Sequence, residues 1–323
     1  MTSPLFSHLT VLSMAVVVSA FSLPANAHDY PITVQSCDRQ VTFERAPTAA
    51  VSNDVNLTEM MLALGLQDHM VGFTGISGWK TLAPELREGI GELPELSAKY
   101  PTKEVLLGAD ADFYFAGWNY GMRVGGGVTP DTLAPLGIKV YELTESCIHI
   151  MDKAKVSMQD MYLDLLNLGR IFNVEDKAKQ LVASYQSSLA DFQADLPKLD
   201  QPVKAFVYDS GEEQPFTAGR FGMPTALIEA AGGVNILDDL AKSWTQVGWE
   251  AVIDRAPEVI IIVNYGQVTA QQKIDFMLSN PAFKDIPAVK NKQFVVLEYV
   301  EATPGPRNIA AIKRLAKAFR AAP

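Results

Sequence analysis

Cysteine is nearly absent from this chain, with Cys37 and Cys147 the only two in 323 residues. They form no CxxC pair, which excludes a dithiol redox motif and a cysteine-rich zinc site. Histidine is almost as scarce, at four residues. His28, His69 and His149 show no spacing that would make a metal site, so bare zinc or manganese is not an expected ligand. Basic residues are in deficit, 27 Lys and Arg against 37 Asp and Glu, giving a net charge of −10. No basic block compensates that charge, which argues against nucleic acid as a partner. The glycine motifs of common enzymes are missing as well: no GxSxG nucleophile elbow, no phosphate loop, no GxGxxG fingerprint. Gly125-Gly126-Gly127 lacks a GK[ST] ending and reads as a flexible loop.

One apolar stretch stands at the start of the chain. Leu9 to Ala20 is almost unbroken, and Ala25-Asn26-Ala27 places small residues at minus three and minus one. This pattern predicts a signal peptide over residues 1–27, cleaved after Ala27. The run is shorter than the ~20 residues of a bilayer span and is closed by Pro24. No cysteine follows it directly, so a free exported chain is expected rather than a lipid-anchored one. Elsewhere, Val259 to Val263 is apolar but has the length of a strand, not of a membrane helix. In an exported chain an even cysteine count suggests a disulfide, here tying the first strands to the end of the first half.

Residues 28–323 suit two domains of ordinary size. A duplicated phrase supports that division. EVLLGADADFYFAGW from Glu104 and EAVIDRAPEVIIIVNY from Glu250 share one grammar: a short helix, a tight break and a buried strand ending on small and aromatic residues. The two copies align without a gap. Around them strands and helices alternate, which predicts an α/β fold of two Rossmann-like lobes with mainly parallel sheets. Between the copies, Met158, Met161, Leu165, Leu168 and Ile171, then Leu181, Tyr185 and Leu189, recur at helical steps. That periodicity predicts one long connecting helix over 154–196, or two nearly collinear ones, between a lobe at 28–153 and a lobe at 197–323.

The segments PTAAVSNDVNLTEMMLALGL, YPTKEVLLGADADFYFAGW, SWTQVGWEAVIDRAPEVIII and GPRNIAAIKRLAKAF, in this order, resemble the helical-backbone class of periplasmic binding proteins. These are the soluble receptors of ABC importers for ferric siderophores, heme and cobalamin. The pairs Trp244 and Trp249, and Cys37 and Cys147, resemble a subgroup of iron-type or deazaflavin-cofactor-precursor binders. The resemblance implies two lobes joined by a helix, limited closure on ligand, and delivery to an inner-membrane permease and its ATPase. A monomer that binds without turnover or cofactor is expected, with an iron chelate as ligand. Cobalamin, heme or a phosphorylated cofactor precursor is the alternative, and an exported two-lobe enzyme a more distant one.

In open parallel sheets ligands sit at the carboxyl ends of strands. The loops there carry Trp79, Trp118, Tyr120, Phe221, Tyr265 and Tyr299, whose flat rings suit large planar ligands, and Arg123, Arg220 and Arg307, whose forks suit anionic oxygens. Trp118 and Tyr120 rank first because they follow a buried strand directly. Arg307 either reaches ligand or braces the last helix; Trp244 and Trp249 read as core packing rather than ligand contacts. The resemblance also implies one permease-docking glutamate on the tip of each lobe. Glu59 matches the first. Ala226 stands at the equivalent place in the second lobe, and Glu229, one turn on, is the substitute.

Overall fold

The computed structural model describes residues 30–78 and 84–322, so the expected signal peptide, His28 and Trp79 lie outside it. In the first half, a hairpin of β1 (Ile32–Ser36) and β2 (Arg39–Phe43) precedes β3 (Ala50–Asn53), α1 (Val55–Ala63) and β4 (Met70–Thr74). Then come α2 (Pro84–Ile90), β5 (Glu95–Ser97), α3 (Lys103–Gly108), β6 (Phe113–Trp118), β7 (Gly121–Met122), α4 (Pro130–Leu133) and β8 (Lys139–Glu142). Two helices follow, α5 (Met158–Ile171) and α6 (Glu175–Ala194). The second half holds β9 (Val203–Tyr208), β10 (Phe216–Ala218), α7 (Met223–Ala231), β11 (Gly233–Asn235), β12 (Trp244–Gln246), α8 (Trp249–Arg255) and β13 (Val259–Asn264). It closes with α9 (Ala270–Ser279), α10 (Pro287–Lys290), β14 (Phe294–Glu298), α11 (Tyr299–Ala302) and α12 (Asn308–Ala321).

The strands form two separate main sheets. One runs β5-β4-β3-β6-β7 with β8 also on β6, and the other runs β11-β9-β13-β14. All pairings within both are parallel. The duplicated phrase occupies the same place in each. Its breaks fall at Asp110 and Ala256, both left-handed with φ of 52° and 46°. Its strands are β6 and β13, each paired on both sides. Even the carboxylates between break and strand behave alike. Asp112 accepts from Thr48 N and Ala49 N at 2.9 and 3.0 Å, and Glu258 accepts from Lys204 N at 2.8 Å. Each carboxylate satisfies backbone donors of the neighbouring strand, whose partners would otherwise be missing.

Strand alternation sorts the buried residues between two faces. In β13, Val259, Ile261 and Val263 join one core, while Ile260 and Ile262 join another with Phe206, Tyr208 and Phe283. In β6, Phe113 and Phe115 belong to the same core as Val259, and Tyr114, Ala116 and Trp118 face the other way. The shared core runs through α5 and α6 to Ile228, Ile312 and Phe319 of the second half, so the two lobes rest on one continuous apolar body.

The helix between the lobes is not a single strut. Asn173 is left-handed, with φ 57°, and there the chain folds back, leaving Gly169 against Ala178. Tyr162 of α5 consequently comes near enough to Tyr185 of α6 to help raise its hydroxyl, after burial and Glu59. α5 stays with the first half: Asp164 accepts from Tyr141 Oη of β8 at 2.9 Å and Arg170 donates to Thr33 O of the β1–β2 hairpin at 3.0 Å. α6 reaches the second half, where Lys313 Nζ meets Ser188 Oγ at 2.6 Å and Gln193 Nε2 donates to Ala230 O at 2.8 Å. The expected collinear arrangement is corrected accordingly.

Cys37 and Cys147 are bonded, with their Cα atoms 5.3 Å apart. The bond ties the β1–β2 turn to the segment after β8. Close by, buried Glu142 accepts from Ser36 Oγ at 2.8 Å, Arg39 Nη2 at 2.6 Å and Trp118 Nε1 at 2.9 Å.

Candidate functional site

A cavity of about 320 Å³ opens where the carboxyl ends of both sheets meet. From the first half come Asn119 and Tyr120, on the turn after β6, and His149. Asn119 takes a left-handed φ of 67°, and Gly117 and Tyr120 exchange backbone hydrogen bonds at 2.8 Å. This tight reversal turns Tyr120 into the cleft. From the second half come Asp209 after β9, Phe216 of β10, Trp244 of β12, Tyr265 after β13 and Tyr299 after β14. The rings stand in pairs: Tyr265 and Tyr299 with centroids 4.9 Å apart, and Phe216 and Trp244 stacked at 5.7 Å.

Two neutralising effects shape the electrostatics. Burial, with help from nearby carboxylates, drives the hydroxyls of Tyr120 and Tyr299 well above the usual tyrosine range and raises that of Tyr265. Tyr100, adjoining the site, is pushed up to about 12, by burial first and then by Asp54. All four phenols are therefore neutral donors at physiological pH. Burial also lowers His149, which stays uncharged. Asp209 is raised by burial, with Lys273 opposing the shift.

The cleft floor joins the lobes through a polar seam. Tyr299 Oη donates to Asp54 Oδ2 at 2.8 Å, and Asp54 also caps α1 through Val55 N at 2.6 Å. Asn56 Nδ2 donates to Pro304 O at 2.7 Å. Arg307 Nε and Nη2 each lie 2.7 Å from Glu59 Oε1. Three contacts thus link residues 54–59 to 299–307. A fourth junction buries a carboxylate: Glu145, 1% exposed, faces the N-terminus of α7. Among the described residues neither of its oxygens has a hydrogen-bond partner, and the Met223 N–H favours the ionised form without reaching bonding geometry. Burial pushes its carboxyl up to about 8.

Of the residues expected at the ligand, Tyr120, Tyr265 and Tyr299 line this one cavity, from opposite lobes. Trp118 does not. It is 7% exposed, and strand alternation turns it into the core beside Val51 and Tyr114, with its indole N–H on Glu142. Phe221 is buried in the loop before α7, its N–H bonded to Lys242 O at 3.0 Å. The three arginines are drawn elsewhere. Arg123 lies over the Tyr100 ring at 5.5 Å, lining a neighbouring depression. Arg220 Nε donates to Asp238 O at 2.8 Å. Arg307 takes the bracing role. Its partner Glu59 is 8% exposed and bound into the seam, which conflicts with an outer docking position. Glu229 remains on the surface, paired with Lys155 Nζ at 2.7 Å. Trp244 lines the cleft, whereas Trp249 packs on Tyr208 and Phe283. Asn119 and Asp209 sit in the strand-end loops at 117–123 and 209–211, which the strand-end rule assigns to the cleft. His149 and Phe216 were not singled out from sequence; Phe216 belongs to a small antiparallel ribbon that the rule does not cover.

Comparison with known proteins agrees with this architecture. The family model described as periplasmic binding protein matches residues 51–300, and the chain belongs to that family. It is 23% identical over 323 residues, 96% of this chain and 95% of the relative, to an uncharacterized ABC transporter substrate-binding lipoprotein, YvrC, of Bacillus subtilis. A vitamin B12-binding protein of Yersinia pestis is 26% identical over 219 residues, covering 68% of this chain and 70% of its own. Among solved structures, a periplasmic binding protein from Veillonella parvula superposes with a TM-score of 0.77 at 31% identity, over 89% of this chain and 96% of that one. An ABC-type Fe3+-hydroxamate transport system structure from Saccharomonospora viridis gives 0.75 at 22%, over 90% and 99%, a likeness of fold. The protein is thus a substrate-binding protein of an ABC transporter, with a small molecule as ligand and a permease–ATPase complex as partner.

Proposed function

We propose that the protein captures an iron chelate of the siderophore type in the inter-lobe cleft and hands it to the inner-membrane permease. The observation that carries this reading is the aromatic cavity formed at the strand ends of both sheets, with walls from each lobe. Its volume falls within the ~300–1,000 Å³ of small-molecule sites, and its polar groups are few and convergent. Neutral phenols suit a ligand whose metal is already saturated, because coordinating bare iron would first require removing protons held by burial. Tyr120, Tyr265, Tyr299 and Trp244 are the contacts in this reading. Export through the leader at 1–27 would place the protein in the periplasm as a monomer. Glu229 is the accessible docking carboxylate, and it would exchange Lys155 for a permease cation.

Native mass spectrometry of the protein taken from its own periplasm tests the proposal. A co-purifying ferric chelate supports it. Retention of a corrinoid instead would favour the vitamin B12-binding relative as the functional guide and overturn the iron assignment. Turnover of a substrate panel with no stable ligand would overturn receptor function altogether.

A further inference from the structure

Glu145 stands between the lobes with both carboxylate oxygens buried and, among the described residues, without a hydrogen-bond partner. Its own segment is fastened to the first half. Cys147 is bonded to Cys37, Thr144 Oγ1 donates to Asp164 Oδ1 at 2.6 Å, and Ser146 Oγ accepts from Trp118 N at 2.9 Å. The facing helix is fastened to the second half. In α7, Thr225 Oγ1 donates to Gly219 O at 2.7 Å and accepts from Asn235 Nδ2 at 2.8 Å. Parting Glu145 from the Met223 N–H is therefore a movement of one half against the other. At its rim the junction carries an exposed ion pair, Lys155 with Glu229, of the kind that solvent weakens;. Burial has the largest effect on the Glu145 carboxyl. Lys153 favours its ionised form, although that ammonium is also held by Asp160 at 3.1 Å and Thr144 O at 2.8 Å. Asp160 and Asp164 of α5 oppose ionisation; α7 presents the Met223 N–H, and the turn after β6 presents the Tyr120 hydroxyl.

We propose that opening of the lobes is coupled to loss of a proton from Glu145, and closure to its recapture. With the junction shut, the carboxyl keeps its proton up to about pH 8, against 4.5 for an ordinary glutamate. Water that reaches it on opening restores the ordinary range, and the resulting charge resists reburial. The closed form binds the extra proton, so acid favours closure. Opening grows easier as pH rises from 4.5 towards about 8, and above that both forms are ionised;. Across this window the open-to-closed ratio changes by about tenfold per pH unit when hydration is complete. Tyr120 carries the link to the cavity, because Glu145 is the charge that its hydroxyl feels most. On the reading of that cavity as the ligand site, a ligand that holds the lobes together also holds the proton, by reciprocity of linkage.

Amide hydrogen exchange of the purified mature chain, read by mass spectrometry and corrected for the intrinsic rate at each pH, compares wild type with Glu145→Gln. It needs no ligand, so its outcome is independent of what the cavity holds. Peptides over 144–149 and the first turn of α7 report the junction, while peptides of β6 and β13 report global unfolding. In the wild type, opening at the junction should increase about tenfold from about pH 6 to about pH 7. In Glu145→Gln it should stay level, and β6 and β13 should remain protected in both proteins. The same increase in Glu145→Gln would assign it to another group and overturn the proposal. A wild-type junction indifferent to pH would overturn it as well. So would an increase shared equally by β6 and β13, since that is unfolding of the whole chain rather than parting of its lobes.

Discussion

Replacing Glu145 by glutamine should make the protein more stable at neutral pH and remove a step from its pH profile. The carboxyl is buried between the 144–149 segment and the start of α7, with neither oxygen hydrogen-bonded. Lys153 favours its ionised form, while Asp160 and Asp164 oppose it, and burial outweighs them all. Its ordinary value of 4.5 becomes about 8 in the fold. The folded protein therefore keeps a proton that the unfolded chain releases above the ordinary value. Stability from this source is full below about pH 4.5 and is lost as pH rises through about 8. At about pH 7 the deficit reaches about 3 kcal/mol, from some 2.5 units at 1.36 kcal/mol each. Glutamine has the same shape and no charge to bury. Denaturant unfolding of both proteins from acid to mildly alkaline pH gives the comparison, and Asp164, also buried and raised to about 7, cancels between them. The wild type and Glu145→Gln should agree in stability near pH 4 and diverge steadily above it. Parallel profiles across the whole range would refute the account, because they would mean that Glu145 ionises alike in both states.

The seam and the disulfide give two further outcomes. A double-mutant cycle on Glu59→Gln and Arg307→Met, followed by chemical denaturation, should return a coupling of about 1–3 kcal/mol, since the pair is bidentate and largely buried on the carboxylate side;. A coupling near zero would show that the ion pair does not join the lobes. Cys37→Ser with Cys147→Ser opens a loop of 110 residues. The chain-entropy relation puts the loss at roughly 4–5 kcal/mol, read as a lower denaturant midpoint that reduction of the wild type should reproduce.

Much of the fold was legible because a duplicated pattern constrains itself. The helix, break and strand of 104–118 return at 250–264, and only backbone shapes that serve both copies satisfy both. The cleft was legible through its strand ends, which delivered Tyr120, Tyr265 and Tyr299. Three things were not. Trp118 ends the same strand, but which sheet face each residue meets depends on what packs there, and alternation sent it inward. The arginines announced their charge but not their partners, which in the case of Arg307 and Glu59 stand 248 residues apart. In the connecting helices, apolar spacing continues across Asn173 because both helices bury a stripe. Periodicity does not register a reversal of direction made by one left-handed residue.

Tyr299 lines the ligand cavity and, through its hydroxyl on Asp54, belongs equally to the seam that holds the lobes. Wall and fastening are one side chain. Any force that parts residues 54–59 from 299–307 must also break that hydrogen bond and release the anchored edge of a ring of the binding surface, one that leans on Tyr265. A permease that grips the two lobes would not need to reach the cargo: prising the seam dismantles the pocket around it.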